Sequence, residues 1–178
     1  MTVRFVSRGA IGLQSANPTR LRLRTAQEMT SERAGITVHH TGSDGNLFRP
    51  DPTARLRAIQ AYHMGTLGYG DIAYEGAFDA DGNTYELRAD RWVGAHAAST
   101  DNLANRTTDG VCFLEDARGI TSDALHAFTW WCDVFRVTFR RTPGLWAHRW
   151  WGEGHGGLPT SCPGDDWDRV VRFLHGNA

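Results

Sequence analysis

The sequence predicts an α/β fold, a single domain with a central mixed β-sheet flanked by helices. Short strand-like segments alternate with segments of helical periodicity, an order that is typical of α/β domains. The chain has 178 residues, and 40% of them are hydrophobic. A chain of this size buries roughly two-thirds of its unfolded surface without disulfide support. One domain with one hydrophobic core therefore accounts for the sequence.

The first part of the chain is predicted to be an arm followed by a strand and a helix. Residues 1–34 are polar, rich in arginine and weakly patterned, so we expect a loose N-terminal arm that packs on the domain with short turns. The domain proper is then residues 35–178. Within it, residues 35–41 form a predicted strand, residues 42–52 a loop, and residues 53–64 a helix whose apolar residues recur at helical spacing.

The middle of the chain is predicted to form a hairpin. Residues 72–78 and 84–87 flank a turn that contains Asp81-Gly82, a dipeptide typical of hairpins. A small and polar loop over residues 94–105 follows, and then a short apolar strand over residues 110–114.

The last third of the chain contains the longest predicted helix, residues 122–139. Asp123 lies in its first turn, where the helix dipole favours an acidic residue. Residues 145–148 form a predicted strand, residues 149–164 a loop rich in glycine and proline, and residues 165–174 a terminal helix.

Charge and composition exclude several classes of function. The formal net charge is -1 and the pI is about 6.7, so the chain has no basic field with which to gather nucleic acid. No apolar stretch approaches the roughly 20 residues of a membrane helix, and the first residues lack a signal-peptide pattern. We therefore expect a protein made in the cytoplasm, with no nucleic-acid or membrane partner.

Lysine and disulfide chemistry are also constrained by composition. All 19 basic residues are arginine, which removes lysine from every catalytic role. The three cysteines, Cys112, Cys132 and Cys162, are an odd number and do not resemble a disulfide framework. At least one thiol is therefore free for other chemistry.

The pair His39-His40 is the first candidate for chemistry. A strand sends successive side chains to opposite faces, so His40 shares a face with Ile36 and Val38, which should face the core. His39 then points to the opposite, more open face, and we choose it as the candidate metal ligand. From the dipeptide alone, two strand histidines with ordinary hydrogen bonds are the simpler interpretation.

A second cluster lies near the carboxyl end of the chain. His148 and Cys162 offer an imidazole and a thiolate, which together with His39 suit zinc and leave a fourth position for water. The spacing is not a zinc-finger motif, and on spacing alone Cys162 is explained as a small buried residue before a Pro-Gly turn. His155 is a competing ligand, but its glycine-rich loop would orient an imidazole poorly, so we expect it to be exposed.

Several aromatic side chains have both a structural and a functional interpretation. On pattern alone Tyr74 is a core aromatic in the middle of a strand; the alternative is a phenol that donates to a developing oxyanion beside the metal. His63 shares a helical face with Ile59, which indicates a packed histidine. Trp150 and Trp151 are candidates for the lining of a groove.

In combination, these segments resemble the type 2 N-acetylmuramoyl-L-alanine amidases, a family that includes the peptidoglycan recognition proteins and the phage lysozymes of the amidase type. The similarity begins at Ile36-Thr-Val-His-His-Thr41 and ends at His148-Arg149 with Thr160-Ser-Cys-Pro-Gly164. Together these ordered matches are far more specific than any one of them. The segments between are residues 59–64, 71–74, 81–88, 93–97 and 110–114, so the similarity covers about residues 35–115 and 145–174.

This resemblance implies an amidase-like fold, an activity and a role for each matching residue. The implied activity is a zinc-dependent hydrolysis of the amide between N-acetylmuramic acid and L-alanine, with the peptidoglycan stem peptide and muramic acid as partners. His39, His148 and Cys162 match the three zinc ligands. The other implied roles are catalytic assistance by Tyr74 and Thr160, and substrate binding by His96, Asn102 and His63.

The chain departs from the family pattern in two places that concern the substrate. The stretch between His148 and Cys162 is longer than usual, and Glu75 follows Tyr74 where the family often has histidine or asparagine. The alternative function is a non-catalytic recognition module, but such modules commonly lack the cysteine ligand that is present here. The missing signal peptide fits a monomeric phage endolysin released through a holin, a fragment of a longer lysin, or a cytoplasmic recycling enzyme.

Overall fold

A six-stranded mixed sheet forms the centre of the computed structural model, which describes residues 3–41 and 49–175. In chain order the strands are β1 (Arg4–Val6), β2 (Gly35–His40), β3 (Gly76–Asp79), β4 (Asn83–Glu86), β5 (Thr108–Leu114) and β6 (Gly144–Ala147). Across the sheet their order is β1-β4-β3-β5-β2-β6. Neighbouring strands are parallel except β3 and β4, which form the antiparallel hairpin.

Helices cover both faces of this sheet. They are α1 (Arg8–Ile11), α2 (Pro52–Gly65), α3 (Leu103–Thr107), α4 (Ser122–Phe139), α5 (His148–Gly152) and α6 (Asp166–Leu174). One face packs on α4 and α6 through a core that includes Phe78, Phe113 and Phe128. The other face packs on α1 and α2 through a core that includes Leu56 and Leu87. This single domain with helices on both sides of a mixed sheet confirms the predicted fold class.

The long helices begin where the sequence provides caps. At α2, the Asp51 carboxylate accepts hydrogen bonds from the Thr53 and Ala54 N–H groups, and Pro52 occupies the first helical position. At α4, the Thr121 hydroxyl accepts the Ala124 N–H at 3.1 Å. The predicted bounds of α4 agree with the structure, and those of α2 and α6 agree within one residue at each end. Among the described residues, no helix has the length and apolar character needed to cross a membrane.

The strand predicted over residues 72–78 is wrong in its first half, because β3 begins only at Gly76. The Ile72 N–H donates to the Asp71 carboxylate at 2.7 Å, and the Ala73 N–H donates to Nδ1 of His63 at 3.0 Å. Side chains thus occupy the donors that a sheet ladder would use. Tyr74 consequently lies in an irregular segment before the strand and not in the middle of it.

Two predicted loops contain short helices. The loop predicted over residues 94–105 includes a 3-10 turn, Thr100–Asn102, and the beginning of α3, while the loop predicted over residues 149–164 begins inside α5. The strand predicted over residues 145–148 lies one residue earlier, and its last predicted residue begins α5. Helices of one turn leave no periodic signal in a sequence. Most of the loop predicted over residues 42–52 falls outside the described residues.

The described part of the N-terminal arm is tied to the domain through buried charges. β1 becomes an edge strand of the sheet by pairing with β4. The side chain of Arg33 is fully buried and contacts the Asp90 and Asp109 carboxylates. Arg24 is also buried and lies 3.4 Å from the Glu75 carboxylate. The described residues of the arm therefore pack on the domain, and these buried contacts hold them more tightly than the loose arm of the sequence analysis.

Replacing Arg33 with leucine should lower the free energy of unfolding by about 3–5 kcal/mol, because Asp109 would stay buried without this charge partner. Urea unfolding measures the effect. Arg20→Leu is the matched control, since Arg20 is an exposed residue of the same arm and such surface changes alter stability by about 0.5 kcal/mol or less. Equal stability of Arg33→Leu and wild type would show that these ion pairs do not hold the arm.

Candidate metal centre

Two imidazoles and one thiol converge near the carboxyl ends of β2 and β6. His39, His148 and Cys162 each offer one ligand atom, and these atoms all lie within 4.8 Å of one another. His39 Nδ1 is 4.0 Å from Cys162 Sγ, and the rings of His39 and His148 are 4.4 Å apart between centroids. Zinc bonds of about 2.0–2.3 Å need donor atoms roughly 3.3–3.8 Å apart. The three donors are therefore near the separations that one tetrahedral ion requires, and their chemistry fits zinc.

The register of parallel strands brings the two histidines together. β6 pairs with β2 so that Ala147 lies opposite Val38. The next residues along each strand direction are His148 and His39, which therefore lie side by side. On the other side of β2, His39 is paired with Cys112 of β5. The carboxyl ends of the adjacent strands β2 and β6 thus bring the two histidines together, and Cys112 flanks His39 on its other side.

The alternation of side chains on β2 separates the two neighbouring histidines. Ile36 and Val38 face the core under α4, and His39 faces the other side of the sheet. His39 is only 1% exposed, so the face that the sequence analysis expected to be open is covered. Nδ1 of His40 lies 2.8 Å from the Glu115 carboxylate. His40 thus has its own partner, away from the candidate ligands.

The loop that carries Cys162 is anchored to the first turn of α5. The Arg149 N–H donates to the Cys162 carbonyl at 2.8 Å, and the Arg149 guanidinium donates to the Gly164 carbonyl at 3.0 Å. The Thr160 hydroxyl accepts the Cys162 N–H at 3.2 Å. Because α5 begins at His148, these bonds hold the cysteine loop beside the second histidine ligand.

Burial sets the protonation of the candidate ligands. It lowers the pKa of His39 well below the usual value, with a further lowering by the nearby His148, and it lowers the pKa of His148 to about 4. Burial also raises the pKa of the Cys162 thiol to about 11, although a hydrogen bond from the His40 backbone opposes this shift. Neutral imidazoles are the form that binds metals. A divalent cation would stabilise the thiolate that burial alone disfavours.

Tyr74 lies beside the candidate ligands. Its ring centroid is 5.1 Å from that of His39. Burial raises the pKa of Tyr74 well above its usual value, and the nearby Cys112 and Cys162 raise it further. The phenol therefore stays protonated near neutral pH and can donate a hydrogen bond to a group that acquires negative charge.

The three residues predicted to bind substrate lie in different environments. Asn102 is exposed and lines a pocket of about 290 Å³ together with Arg20, Arg22 and Tyr69. His63 is buried on α2, where its Nδ1 accepts the Ala73 N–H. His96 is also buried, at 6% exposure, and its Nδ1 lies 3.1 Å from Nε2 of His39. Of these three side chains, Asn102 is the one that solvent reaches readily.

Asn105 is a structural determinant of the site that sequence reasoning missed. Its side-chain oxygen accepts the His96 N–H at 2.7 Å and the Ala97 N–H at 3.0 Å. Its side-chain amide donates to the Asn102 side chain at 2.6 Å. Asn102 and Asn105 lie in the same polar segment, and pattern offered no reason to choose between them. Asn105 is the buried member of the pair, and it fixes the backbone that carries His96.

Glu75 is held inside the sheet. Its carboxylate accepts the Gly110 N–H at 2.6 Å and lies 3.4 Å from the Arg24 guanidinium. Burial raises its pKa to about 7, and the positive charge of Arg24 opposes that shift. Glu75 therefore belongs to the buried charge network that joins the arm to the sheet.

The tryptophan pair divides between core and surface. Trp151 is 4% exposed, and its indole N–H donates to the Thr37 hydroxyl at 2.9 Å. Trp150 is 38% exposed, and the His155 ring stacks on it with centroids 3.6 Å apart. Trp151 is therefore structural, and His155 is half-buried against Trp150 instead of being exposed as predicted.

Protonation of His63 should lower stability in mild acid. Burial lowers its pKa to about 4, whereas the unfolded chain has a histidine pKa of about 6.5. Between these values the unfolded chain binds more protons, so the stability present above pH 6.5 is lost as the pH falls toward 4. His63→Asn can still accept the Ala73 N–H and should flatten this slope in the metal-free protein.

Unfolding free energies measured between pH 4 and 7 would test the effect of His63→Asn. The control is His126→Asn, which alters an exposed histidine on α4 and should keep the wild-type slope. A wild-type slope in His63→Asn would mean that His63 does not titrate in the way its burial indicates.

No family model matches the chain, but individual proteins do. The chain is 28% identical over 183 residues to peptidoglycan-recognition protein SC2 of Drosophila simulans, which covers 96% of this chain and 91% of that protein. Over 69 residues it is 40% identical to human N-acetylmuramoyl-L-alanine amidase, which covers 34% of this chain and 11% of that protein.

Solved structures share the fold over nearly the whole chain. Drosophila PGRP-LB superposes with a TM-score of 0.74 at 22% identity and covers 96% of this chain and 94% of its own. N-acetylmuramoyl-L-alanine amidase LysC from Clostridium intestinale has a TM-score of 0.68 at 19% identity, and the match covers 98% of this chain and 99% of LysC. The homologues of this chain are thus peptidoglycan recognition proteins and N-acetylmuramoyl-L-alanine amidases, and its structural neighbours have the fold of that family.

Proposed function

We propose that the protein is a zinc-dependent amidase that hydrolyses the amide between N-acetylmuramic acid and L-alanine in peptidoglycan. The observation that carries the proposal is the convergence of His39, His148 and Cys162, with Tyr74 beside them. Two neutral imidazoles and a thiol leave one position of a tetrahedral site open, as catalytic zinc sites do. A zinc ion held by these residues would supply a nucleophilic water near neutral pH and would polarise the substrate carbonyl.

Tyr74 has the properties of an oxyanion donor. Its phenol is protonated, lies next to the candidate ligand His39, and is half-buried. A hydrogen bond from it to the substrate carbonyl oxygen would strengthen as that oxygen becomes an oxyanion. This would lower the activation free energy by about 2–4 kcal/mol. The role of Thr160 in this account is to hold the backbone of Cys162 through the hydroxyl that accepts its N–H.

Proton transfer to the leaving nitrogen falls to Tyr74 or to water. The Glu75 carboxylate is already bound to the Gly110 N–H and the Arg24 guanidinium. We therefore do not assign proton transfer to Glu75. A threonine hydroxyl such as that of Thr160 does not act as a base at neutral pH. Tyr74 and water are therefore the two groups that we propose to protonate the leaving nitrogen.

The pocket that Asn102 lines is a suitable place for the stem peptide. Its lining combines the cationic side chains of Arg20 and Arg22 with the amide of Asn102 and the ring of Tyr69. Guanidinium groups form strong, charge-assisted hydrogen bonds with carboxylates, which stem peptides carry. A family structure, that of peptidoglycan recognition protein-LE, contains tracheal cytotoxin, a monomeric diaminopimelic acid-type peptidoglycan. That complex supports a peptidoglycan fragment as the ligand class.

Recognition without catalysis is the second candidate, favoured by the similarity along 96% of the chain to a protein named for recognition. Zinc content separates the two functions. Mass spectrometry of the purified protein should find about one zinc per chain, and removal of the metal by a chelator should stop release of peptides from purified cell walls. Cell-wall binding by a zinc-free protein, without peptide release, would favour recognition. The phage source, holin-type release and monomeric state stay predictions of the sequence.

A further inference from the structure

We infer that His96 is a positioning residue of the metal centre and holds His39 in the tautomer that presents Nδ1 to the metal. The inference rests on the proposed zinc site and gives His96 a different role from the substrate contact predicted above. The role of His96 follows from the atoms that lie next to the two ring nitrogens of His39.

The two nitrogens of His39 face different partners. Nδ1 lies 4.0 Å from Cys162 Sγ, on the side where the ligand atoms converge, and Nε2 lies 3.1 Å from Nδ1 of His96. A neutral imidazole carries one proton, so binding of a metal through Nδ1 places that proton on Nε2. Nε2 of His39 then donates to Nδ1 of His96. His96 must accept at Nδ1 and therefore carries its own proton on Nε2.

The ring of His96 is fixed by two glycines and one asparagine. A Cβ on Gly110 would lie 2.3 Å from Cγ of His96, and a Cβ on Gly94 would lie 2.7 Å from its Cδ2. The missing side chains therefore create the space that the ring fills. The Asn105 oxygen holds the backbone N–H of His96 at 2.7 Å. Ring and backbone are both constrained, so Nδ1 is aimed at His39.

This arrangement suits a residue that orients a ligand better than one that contacts substrate. His96 is 6% exposed, and the nitrogen nearest the site is occupied by His39. Metal-bound histidines usually donate their second N–H to such a partner, and loss of the partner typically lowers metal affinity about 10–100-fold. His96 would therefore act on the metal through His39.

Two substitutions at position 96 separate hydrogen bonding from packing. His96→Leu fills similar space but cannot accept a hydrogen bond, whereas His96→Asn keeps an acceptor oxygen close to the place of Nδ1. Competition with a chromophoric chelator should show zinc affinity about 10–100-fold weaker in His96→Leu and close to wild type in His96→Asn. Circular dichroism and thermal melting verify that both variants are folded. Wild-type affinity in folded His96→Leu would overturn the inference, and so would equal loss in both variants.

The tautomer of His39 provides a readout that needs no metal. Nitrogen-15 NMR of the metal-free wild type should show His39 protonated on Nε2, and His96→Leu should shift protonation toward Nδ1. A wild-type His39 protonated on Nδ1 would overturn the inference even if zinc binds. If the wild type binds no zinc, the proposed function fails, and the tautomer still decides whether His96 orients His39.

Discussion

Replacing Cys162 with serine is expected to abolish both zinc binding and amidase turnover. The thiol is the one sulfur donor among the three ligand atoms that converge within 4.8 Å, and a serine hydroxyl would not ionise to replace the thiolate at neutral pH. The two remaining imidazoles are too few for a tetrahedral catalytic site with three protein ligands. Zinc analysis of the purified variant and digestion of purified cell walls measure the two losses.

Cys132→Ser is the matched control for this substitution. Cys132 is a free, half-buried cysteine on α4, which covers the opposite face of the sheet. This variant should keep zinc and turnover, with at most a modest loss of stability. Substantial hydrolysis of cell walls by metal-free Cys162→Ser protein would contradict the assignment of Cys162 as a ligand.

Replacing Tyr74 with phenylalanine is expected to lower kcat by about 10²–10³-fold, the usual effect of removing one oxyanion donor. Zinc content should stay at the wild-type level, because the phenol lies beside the ligands and is not one of the three that converge. Steady-state hydrolysis of a soluble muropeptide, with metal analysis of the same sample, measures both quantities.

Tyr62→Phe controls for the loss of a phenol elsewhere. Tyr62 is on α2 with 41% of its surface exposed, so this variant should keep wild-type kcat. Full activity of Tyr74→Phe would remove Tyr74 from the mechanism, and loss of zinc in that variant would assign it a role in metal binding.

Periodicity was sufficient to predict the fold class because each layer is visible within a short stretch of sequence. The apolar stripe of α4 lies within 18 residues, and strand alternation separates His39 from His40. The proximity of His39 to His148 is different, since it depends on the parallel register of β2 and β6. Alternation along one strand shows which face each side chain occupies, but it does not show which strand lies beside it. The resemblance to a known family supplied that information.

The errors in the predicted site have local physical causes. Tyr74 looked like a strand residue because the side chains that satisfy its neighbours' N–H groups, Asp71 and His63, are invisible to alternation. Asn105 was overlooked because the left-handed backbone at Asp101 and Asn102 decides which amide turns inward. Such conformations are rare for residues other than glycine, so a sequence gives little warning of them.

Buried polar residues are the third source of error. Arginine is almost never fully buried without a partner, and the partners of Arg33 are 57 and 76 residues away along the chain. His96 is buried because Gly94 and Gly110 leave room for its ring. The partners of Arg33, and Gly110 beside His96, are distant in sequence, so local pattern does not reveal this burial.

Digestion of a defined muropeptide by the zinc-loaded protein shows whether the protein is an amidase and which bond it cuts. The substrate is a disaccharide tetrapeptide of known stem, and mass spectrometry identifies the products. The proposed amidase should make one cleavage, which releases a free tetrapeptide with an L-alanine amino terminus and a disaccharide with a free lactyl carboxylate. A zinc-loaded protein that binds the muropeptide and leaves it intact, or that cuts any other bond, would not be an N-acetylmuramoyl-L-alanine amidase.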